Sequence, residues 1–279
     1  MRLPFLPSAR PFSALLAAVS IGAGAAAYAG DSTLTLSDPA GDDNGPGTYK
    51  YPTDPAYTKG SFDLRKLEII DKGDKVEFRV TVGARIEDPW NSKDWDGNGF
   101  SLQFPQIYLD LDHEKGKGFT EALPGLGQLK WAEDEAWDKV VLLSPQGRAR
   151  LSAELRKAGA MKPAAVIPSV TRAQGSTIIA TVKKSDLGPT PIAKWGIQVA
   201  MQSNEGYPDK ADLLTRPVNE TGGQHRFGGG NDGDCDPQVL DIFAGKAKGD
   251  PTEVAEQHKA LAWKCGSQIA HMPMIYPGQ

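Results

Sequence analysis

The segment VEFRVTV, residues 76–82, carries the pattern that decides the fold class of this chain. Apolar and polar side chains alternate along it, and this period of two is typical of a β-strand with one face in a core and one in water. Similar segments, bounded by Gly, Pro and Asp, are residues 34–38, 62–70, 107–112, 137–143, 165–170, 177–183, 195–202 and 272–276. The chain is therefore predicted to be mainly β, a single immunoglobulin-like or jelly-roll β-sandwich.

Helix signals are confined to two segments. Asp250-Pro251-Thr252-Glu253 has the order of an N-cap, a first-turn proline and a capping-box glutamate, and it predicts a helix that runs to about Ala262. Residues 149–158 favour a helix by composition, with a strand edge or a loop as the alternative. One or two short helices are expected beside the sheets.

Residues 1–29 are predicted to be a secretory signal peptide. Arg2 and Arg10 flank a short positive region at the N-terminus. The segment 12–27 that follows is nearly free of polar side chains and is short for a membrane span. Ala27-Tyr28-Ala29 places small residues where a signal peptidase cleaves. Cleavage would leave residues 30–279 as one domain with an extended C-terminal tail, in the periplasm, secreted or at the cell surface; the alternative is an uncleaved anchor helix.

The charge of the predicted mature chain makes nucleic acid a poor partner. Loss of residues 1–29 removes two basic side chains and leaves 29 basic against 35 acidic residues, a net charge of −6. The only two cysteines are Cys235 and Cys265. In an oxidising compartment they predict a disulfide, and closing a loop of 30 residues stabilises a fold by about 3 to 4 kcal/mol.

Several motifs in a fixed order resemble one known family. They are, in sequence, DPAGDDNGPGTYKYP (38–52), GSFDL (60–64), DPW (88–90), GFSLQ (99–103), IYLD (107–110), GGGNDG (228–233), DPQVLD (236–241) and PMI (273–275). This succession resembles the C-terminal module of glucodextranase, a surface-layer-like module also found on other secreted amylolytic proteins. The resemblance covers nearly the whole chain after residue 29; the cysteine pair and residues 246–264 look like additions to the family pattern.

The resemblance implies a β-sandwich of the broad group that includes family-nine carbohydrate-binding modules and DOMON domains, which bind sugars or haem. In related proteins the module usually follows a catalytic domain. There it is associated with binding carbohydrate or with holding an enzyme at the cell envelope.

Two acidic loops are candidates for calcium. The loop Asp94-Trp95-Asp96-Gly97-Asn98-Gly99 resembles the first half of a calcium loop, with oxygens from Asp94, Asp96 and Asn98. Its twelfth position is Pro105, so a cation there needs further carboxylates, such as Asp110 or Asp112; the alternative is a solvated Asp-Gly turn.

The second acidic loop is the Pro-Ala-Gly turn after Asp38. It could fold Asp38, Asp42 and Asp43 around one hard cation, because like charges this close repel and Ca²⁺ takes six to eight oxygens. The alternative is a turn in which these side chains accept backbone N–H groups.

Three aromatic residues are candidates for a sugar site, since the C–H face of a pyranose packs on a flat ring. Trp90 and Trp95 lie in a loop rich in Asp, Asn, Ser and Lys, and Tyr207 lies in the polar loop 204–208. Trp137 and Trp195 begin alternating strands and are predicted to be core residues. The alternative for Trp90 is a structural role that covers one end of the sandwich.

Catalytic motifs are missing from the sequence: there is no Gly-x-Ser-x-Gly, no His-Glu-x-x-His and no phosphate loop. A carboxylate pair for glycoside hydrolysis stays open. The sequence predicts an exported non-enzyme that binds carbohydrate or a cell-envelope polymer and is stabilised by Ca²⁺. It would have no transmembrane span after processing, and a periplasmic or surface protein complex is a further possible partner.

The alternative function is a b-type haem-binding or accessory subunit of a periplasmic electron-transfer complex. The available axial donors would be Met272 and Met274, with His271 or His258.

Overall fold

The fold is built on β-sheets in the computed structural model, which describes Met1 and residues 32–277. The strands in chain order are β1 (Ser32–Ser37), β2 (Leu64–Asp71), β3 (Lys75–Val82), β4 (Gln106–Asp110), β5 (Leu129–Lys130), β6 (Lys139–Leu142), β7 (Ala165–Val166), β8 (Val170–Gln174), β9 (Thr177–Lys183), β10 (Gly196–Ala200) and β11 (Ala270–His271). The α-helices are α1 (Arg148–Glu154) and α2 (Glu253–Ala260). Short 3₁₀ helices occupy Ser92–Trp95, Leu155–Ala164, Lys184–Asp186 and Ile192–Lys194.

The strands form two main sheets and one small one. The first sheet has five antiparallel strands in the order β1-β2-β3-β9-β8. The second sheet has the order β10-β4-β6-β7, in which β4 runs antiparallel to both neighbours and β7 is parallel to β6. β5 and β11 pair in parallel beside them. The predicted mainly β sandwich is confirmed.

One apolar core lies between the two main sheets. The apolar side chains of β3 are Val76, Phe78, Val80 and Val82, and none is more than 2% exposed. They share this core with Ile107 and Val199 of the second sheet. The period of two therefore reports burial correctly in the first sheet, whose other face is largely exposed or half-buried.

The second sheet is buried on both faces, which the alternation alone does not indicate. Its outer face packs under α1 and a set of loops, in a second core that contains Tyr108, Trp131, Trp137 and Leu151. All five residues of β4 and all five of β10 are buried. The predicted core positions of Trp137 and Trp195 are both observed: Trp137 lies in this second core and Trp195 in the first, and neither exceeds 1% exposure.

The second sheet carries polar glutamine side chains although both of its faces are buried, because these side chains are hydrogen-bonded. The side chain of Gln106 donates to Gln202 at 3.0 Å and accepts from the Tyr108 hydroxyl at 2.7 Å. Gln202 also accepts from Thr215 at 3.1 Å and donates to the carbonyl of Gln238 at 3.2 Å. A buried amide is tolerated because its donors and acceptors are paired.

Both predicted helices form. The Glu253 carboxylate accepts from the backbone N–H of Asp250 at 3.1 Å, and Asp250 accepts from the N–H of Thr252 at 2.9 Å, so α2 begins at the predicted capping signal. α1 covers the first part of residues 149–158, and the 3₁₀ segment continues from it.

Residues 272–276 do not form the predicted strand. β11 ends at His271, and an isolated bridge joins Ile275 to Ile197. Pro273 has no N–H for a ladder, and its carbonyl accepts instead from the side chain of Gln198 at 2.7 Å.

The predicted disulfide is confirmed: Cys235 and Cys265 are bonded, with Cα atoms 5.4 Å apart. The predicted signal peptide, residues 1–29, lies outside the described residues apart from Met1. No helix in the described part of the chain has the length and apolar character of a membrane span.

Candidate functional site

The candidate ligand site is a cavity of about 450 Å³ at one end of the second sheet, within the size range of small-ligand pockets. Because β4 runs antiparallel to β6 and β10, its beginning lies beside their ends. Loops at these three points line the cavity. We call it the aromatic cavity and define it by Trp90, Trp95, Asn204, Glu205, Tyr207 and Arg216.

The three aromatic residues that the sequence predicts for a ligand site all lie in this cavity. Trp90 is 40% exposed, Trp95 is 36% exposed and Tyr207 is 92% exposed. The indole N–H of Trp95 donates to the backbone carbonyl of Trp90 at 3.2 Å, which ties the Trp95 ring to the backbone that carries Trp90. Behind Trp90, Tyr57 and His225 contact the ring edge-on, with centroids 5.9 and 5.7 Å away.

Asp88 organises the loop that carries the two indoles. Its carboxylate accepts from the backbone N–H and the hydroxyl of Ser92 at 2.9 Å, and from the hydroxyl of Ser101. This carboxylate therefore holds both ends of the loop around Trp90 and Trp95.

The predicted calcium loop 94–99 anchors this wall. The Asn98 amide donates to the carbonyls of Ser144 and Gln146 at 2.8 and 3.1 Å. Asp94 and Asp96 are exposed, and Asp94 accepts from Asn91 at 2.5 Å. The hydrogen bonds of Asn98 and Asp94 therefore hold the loop in place. A cation held by Asp94, Asp96 and Asn98 stays a prediction.

A largely buried ion pair forms the polar wall of the aromatic cavity. The guanidinium of Arg216 contacts the Glu205 carboxylate at 3.1 and 3.4 Å, and Glu205 also accepts from the backbone N–H of Tyr207 at 3.1 Å. Beside it, the amide of Asn204 donates to the carbonyl of Ser101 at 3.0 Å. The sequence gives no local signal for Arg216 or Asn204, since their role follows from the bridge that pairs residues 204 and 215.

A second site of interest is a buried group of carboxylates, which we call the acidic cluster: Asp38, Asp42 and Asp241. One oxygen from each lies within 4.8 Å of the others. The structure thus joins two of the predicted ligands, Asp38 and Asp42, to Asp241, which the sequence did not indicate. Asp43, the third predicted ligand, is buried but accepts a hydrogen bond from the Tyr51 hydroxyl.

Burial dominates the electrostatics of the acidic cluster. It raises the pKa of Asp38 to about 10, with further raising by the charges of Asp42, Asp63 and Glu253. Burial raises the pKa of Asp42 to about 6, and that of Asp241 well above its ordinary value. Three carboxylates in so little water repel one another unless a proton or a cation neutralises them.

The other carboxylate group in the described residues is Asp110, Asp112 and Asp138. Here the oxygens are paired: Asp110 accepts from the Tyr276 hydroxyl at 2.6 Å, and Asp138 accepts from the N–H of Leu111 at 2.7 Å. Asp112 is exposed on its turn. Local hydrogen bonds account for this group.

Comparison with known families supplies the wider context of these two sites. The model of one family matches residues 33–276, and this family is described as the C-terminal, SLH-like binding module of glucodextranase. The chain belongs to this family. None of the curated proteins compared with it matches. The glucodextranase C-terminal module is a binding module rather than a catalytic domain.

The match of the glucodextranase C-terminal module includes the segment 246–264, so α2 lies within the matched range. The residues named for haem ligation are spread over different settings: Met272 and Met274 are buried in the second core, His271 is exposed, and His258 lies 3.2 Å from the Asn44 side chain. Haem binding by this module stays a prediction.

Proposed function

We propose that the chain is an exported, non-catalytic module that binds carbohydrate or a cell-envelope polymer in the aromatic cavity. The observation that carries the proposal is the convergence of Trp90, Trp95 and Tyr207, from two separate loops, on one cavity with a polar wall. Family membership supports binding as the activity.

The exposed rings provide the affinity. Each indole keeps more than a third of its surface in water, and Tyr207 is almost fully exposed, which is unusual for such large apolar side chains. A sugar ring that covers them removes this apolar surface from water and leaves its hydroxyls at the edge.

The charges on the wall favour a neutral ligand. Arg216 is paired with Glu205, and Arg150 is paired with Glu154 at 2.9 Å. Because each of these cations already contacts a carboxylate, an anionic ligand would find little uncompensated positive charge. Hydroxyl groups, in contrast, can both donate to and accept from paired side chains and amides.

Export rests on the predicted signal peptide and on the disulfide, which is typical of an oxidising compartment. The location is then the periplasm, the cell surface or the medium, and protein partners there would use other faces of the domain.

The test is affinity electrophoresis of the chain without residues 1–29 in gels that contain dextran, soluble starch or the anionic polymer alginate, preceded by a glycan array. Neutral polysaccharide should retard the protein. Trp95→Ala and Tyr207→Ala should each weaken the affinity about tenfold or more, because truncating an anchoring aromatic removes 1.4 kcal/mol or more.

Val170→Ala is the matched control, because Val170 is an exposed apolar residue on β8 outside the cavity. It should bind as the unmodified protein does. Equal retardation of all variants, or no binding across the array, would rule out the cavity as the ligand site.

A further inference from the structure

The acidic cluster joins parts of the chain that are far apart in sequence. Asp38 follows β1, Asp42 lies in the next turn, and Asp241 lies beside Met201 after β10. Asp241 also accepts from the backbone N–H of Leu64 at 2.7 Å. The cluster therefore sits where the N-terminal loop, the start of β2 and a C-terminal segment meet.

Asp38 has a buried carboxyl group that lacks hydrogen-bond partners. Its side chain is only 4% exposed, and neither of its oxygens receives a hydrogen bond from the described residues. One oxygen of Asp42 is likewise buried and receives no hydrogen bond from the described residues. Arg65 pairs with Asp63 at 3.5 Å. Buried polar atoms are nearly always paired, so these oxygens indicate a missing partner.

We propose that Asp38, Asp42 and Asp241 hold one Ca²⁺ ion. All three ligands are carboxylates, the donor type that hard cations prefer, and the group contains no His or Cys to favour zinc. Two oxygens bound at about 2.3 to 2.6 Å from one ion can be at most about 5 Å apart. The separations within the cluster, 4.8 Å or less, fit around such an ion.

The ion would also fix the C-terminal helix. Gln257 of α2 donates to the backbone carbonyl of Asp42 at 2.6 Å and accepts from the N–H of Ile242, next to Asp241, at 3.1 Å. Asp42 and the residue next to Asp241 are therefore linked to α2 through one side chain. Calcium binding should order the loop of residues 38–52 and α2 together.

The experiment compares melting temperatures of chelator-treated protein with and without added CaCl₂ or MgCl₂. Calcium at about 1000 times its Kd should raise the Tm of the unmodified chain by about 10 °C. Isothermal titration calorimetry should give one Ca²⁺ per chain. Mg²⁺ should have a smaller effect, because it demands a tighter octahedral shell.

Asp38→Asn is the decisive variant, because it removes one carboxylate ligand and breaks no hydrogen bond among the described residues. In chelator it should melt at or above the temperature of the unmodified chain, since an amide cannot take on the negative charge whose burial is unfavourable at this position. In calcium it should melt below it. A purely structural aspartate would not reverse its effect in this way.

Asp236→Asn is the control for a fully buried aspartate outside the cluster. Because it also disturbs the hydrogen bond from Tyr49, only its calcium shift is compared. It should keep the calcium shift. No shift in the unmodified chain, no heat of calcium binding, a full shift in Asp38→Asn, or a larger shift with Mg²⁺ would overturn the proposal. The aromatic cavity shares no residue with the cluster, so polysaccharide retardation tests the two proposals separately.

Discussion

The guanidinium of Arg216 lies 3.1 Å from a carboxylate oxygen of Glu205, and both side chains are at most 15% exposed. The Arg216 guanidinium also donates to the Tyr57 hydroxyl and, at 2.8 Å, to the backbone carbonyl of His225. Tyr57 and His225 are the two rings that contact Trp90 edge-on. The ion pair thus positions the aromatic wall from behind, and it links the polar and aromatic parts of the cavity.

Glu205→Gln is expected to lower the free energy of unfolding by about 2 kcal/mol, because it leaves the largely buried Arg216 charge without its carboxylate. Urea denaturation measures this change. Glu87→Gln is the control, since Glu87 pairs with Arg85 on the surface, where both side chains are more than half exposed. The control should change stability by at most about 0.5 kcal/mol; equal effects of the two substitutions would contradict a structural role for the buried pair.

Gly97→Ala is expected to displace the loop that carries Trp95. A Cβ at residue 97 would lie 2.7 Å from the Ser92 carbonyl oxygen and 2.8 Å from that of Pro145, so the backbone must move. The free energy of unfolding should fall by about 1 to 3 kcal/mol, and polysaccharide affinity should fall with it. Gly223→Ala, where a Cβ meets nothing within 4 Å, should be neutral or slightly stabilising.

The fold could be predicted from the sequence because its signals are local. Residues 76–82 alternate within one strand, and β3 contains all of them. The site could be predicted only in part. Trp90 and Trp95 stand out by their polar neighbours, whereas Asp241 meets Asp38 through a contact that spans about 200 residues. Such pairings depend on how the sheets stack, and no local pattern encodes them.

Replacing both cysteines by serine is expected to lower the free energy of unfolding by about 3 to 4 kcal/mol, from the entropy of a loop of 30 residues. Urea denaturation at saturating calcium separates the contribution of the disulfide from that of metal binding. Thiol titration of the native, unmodified chain should detect no free thiol. Stability that is unchanged in the double variant would mean that the unfolded chain gains little freedom when the bond is removed.

Asp236 is expected to make stability depend on pH between about 4 and 6. Burial raises its pKa to about 6, against the hydrogen bond from the Tyr49 hydroxyl at 2.8 Å, and the charge of Asp234 raises it further. A group with a raised pKa in the folded state contributes stability that is fully present below its unfolded pKa of about 4 and is lost as pH rises through about 6.

The stability of Asp236→Asn should lack this component. Relative to the variant, the unmodified chain should lose about 2 to 3 kcal/mol between pH 4 and pH 6.5 and nothing more above that pH, because the folded carboxyl is then ionised. Urea denaturation of both proteins in chelator, at steps of half a pH unit, measures the difference and removes any effect of bound cation. Parallel curves would mean that Asp236 ionises in the folded chain as readily as in the unfolded one, so that its three contacts, from Tyr49, Asn231 and Gln238, offset the full cost of its burial.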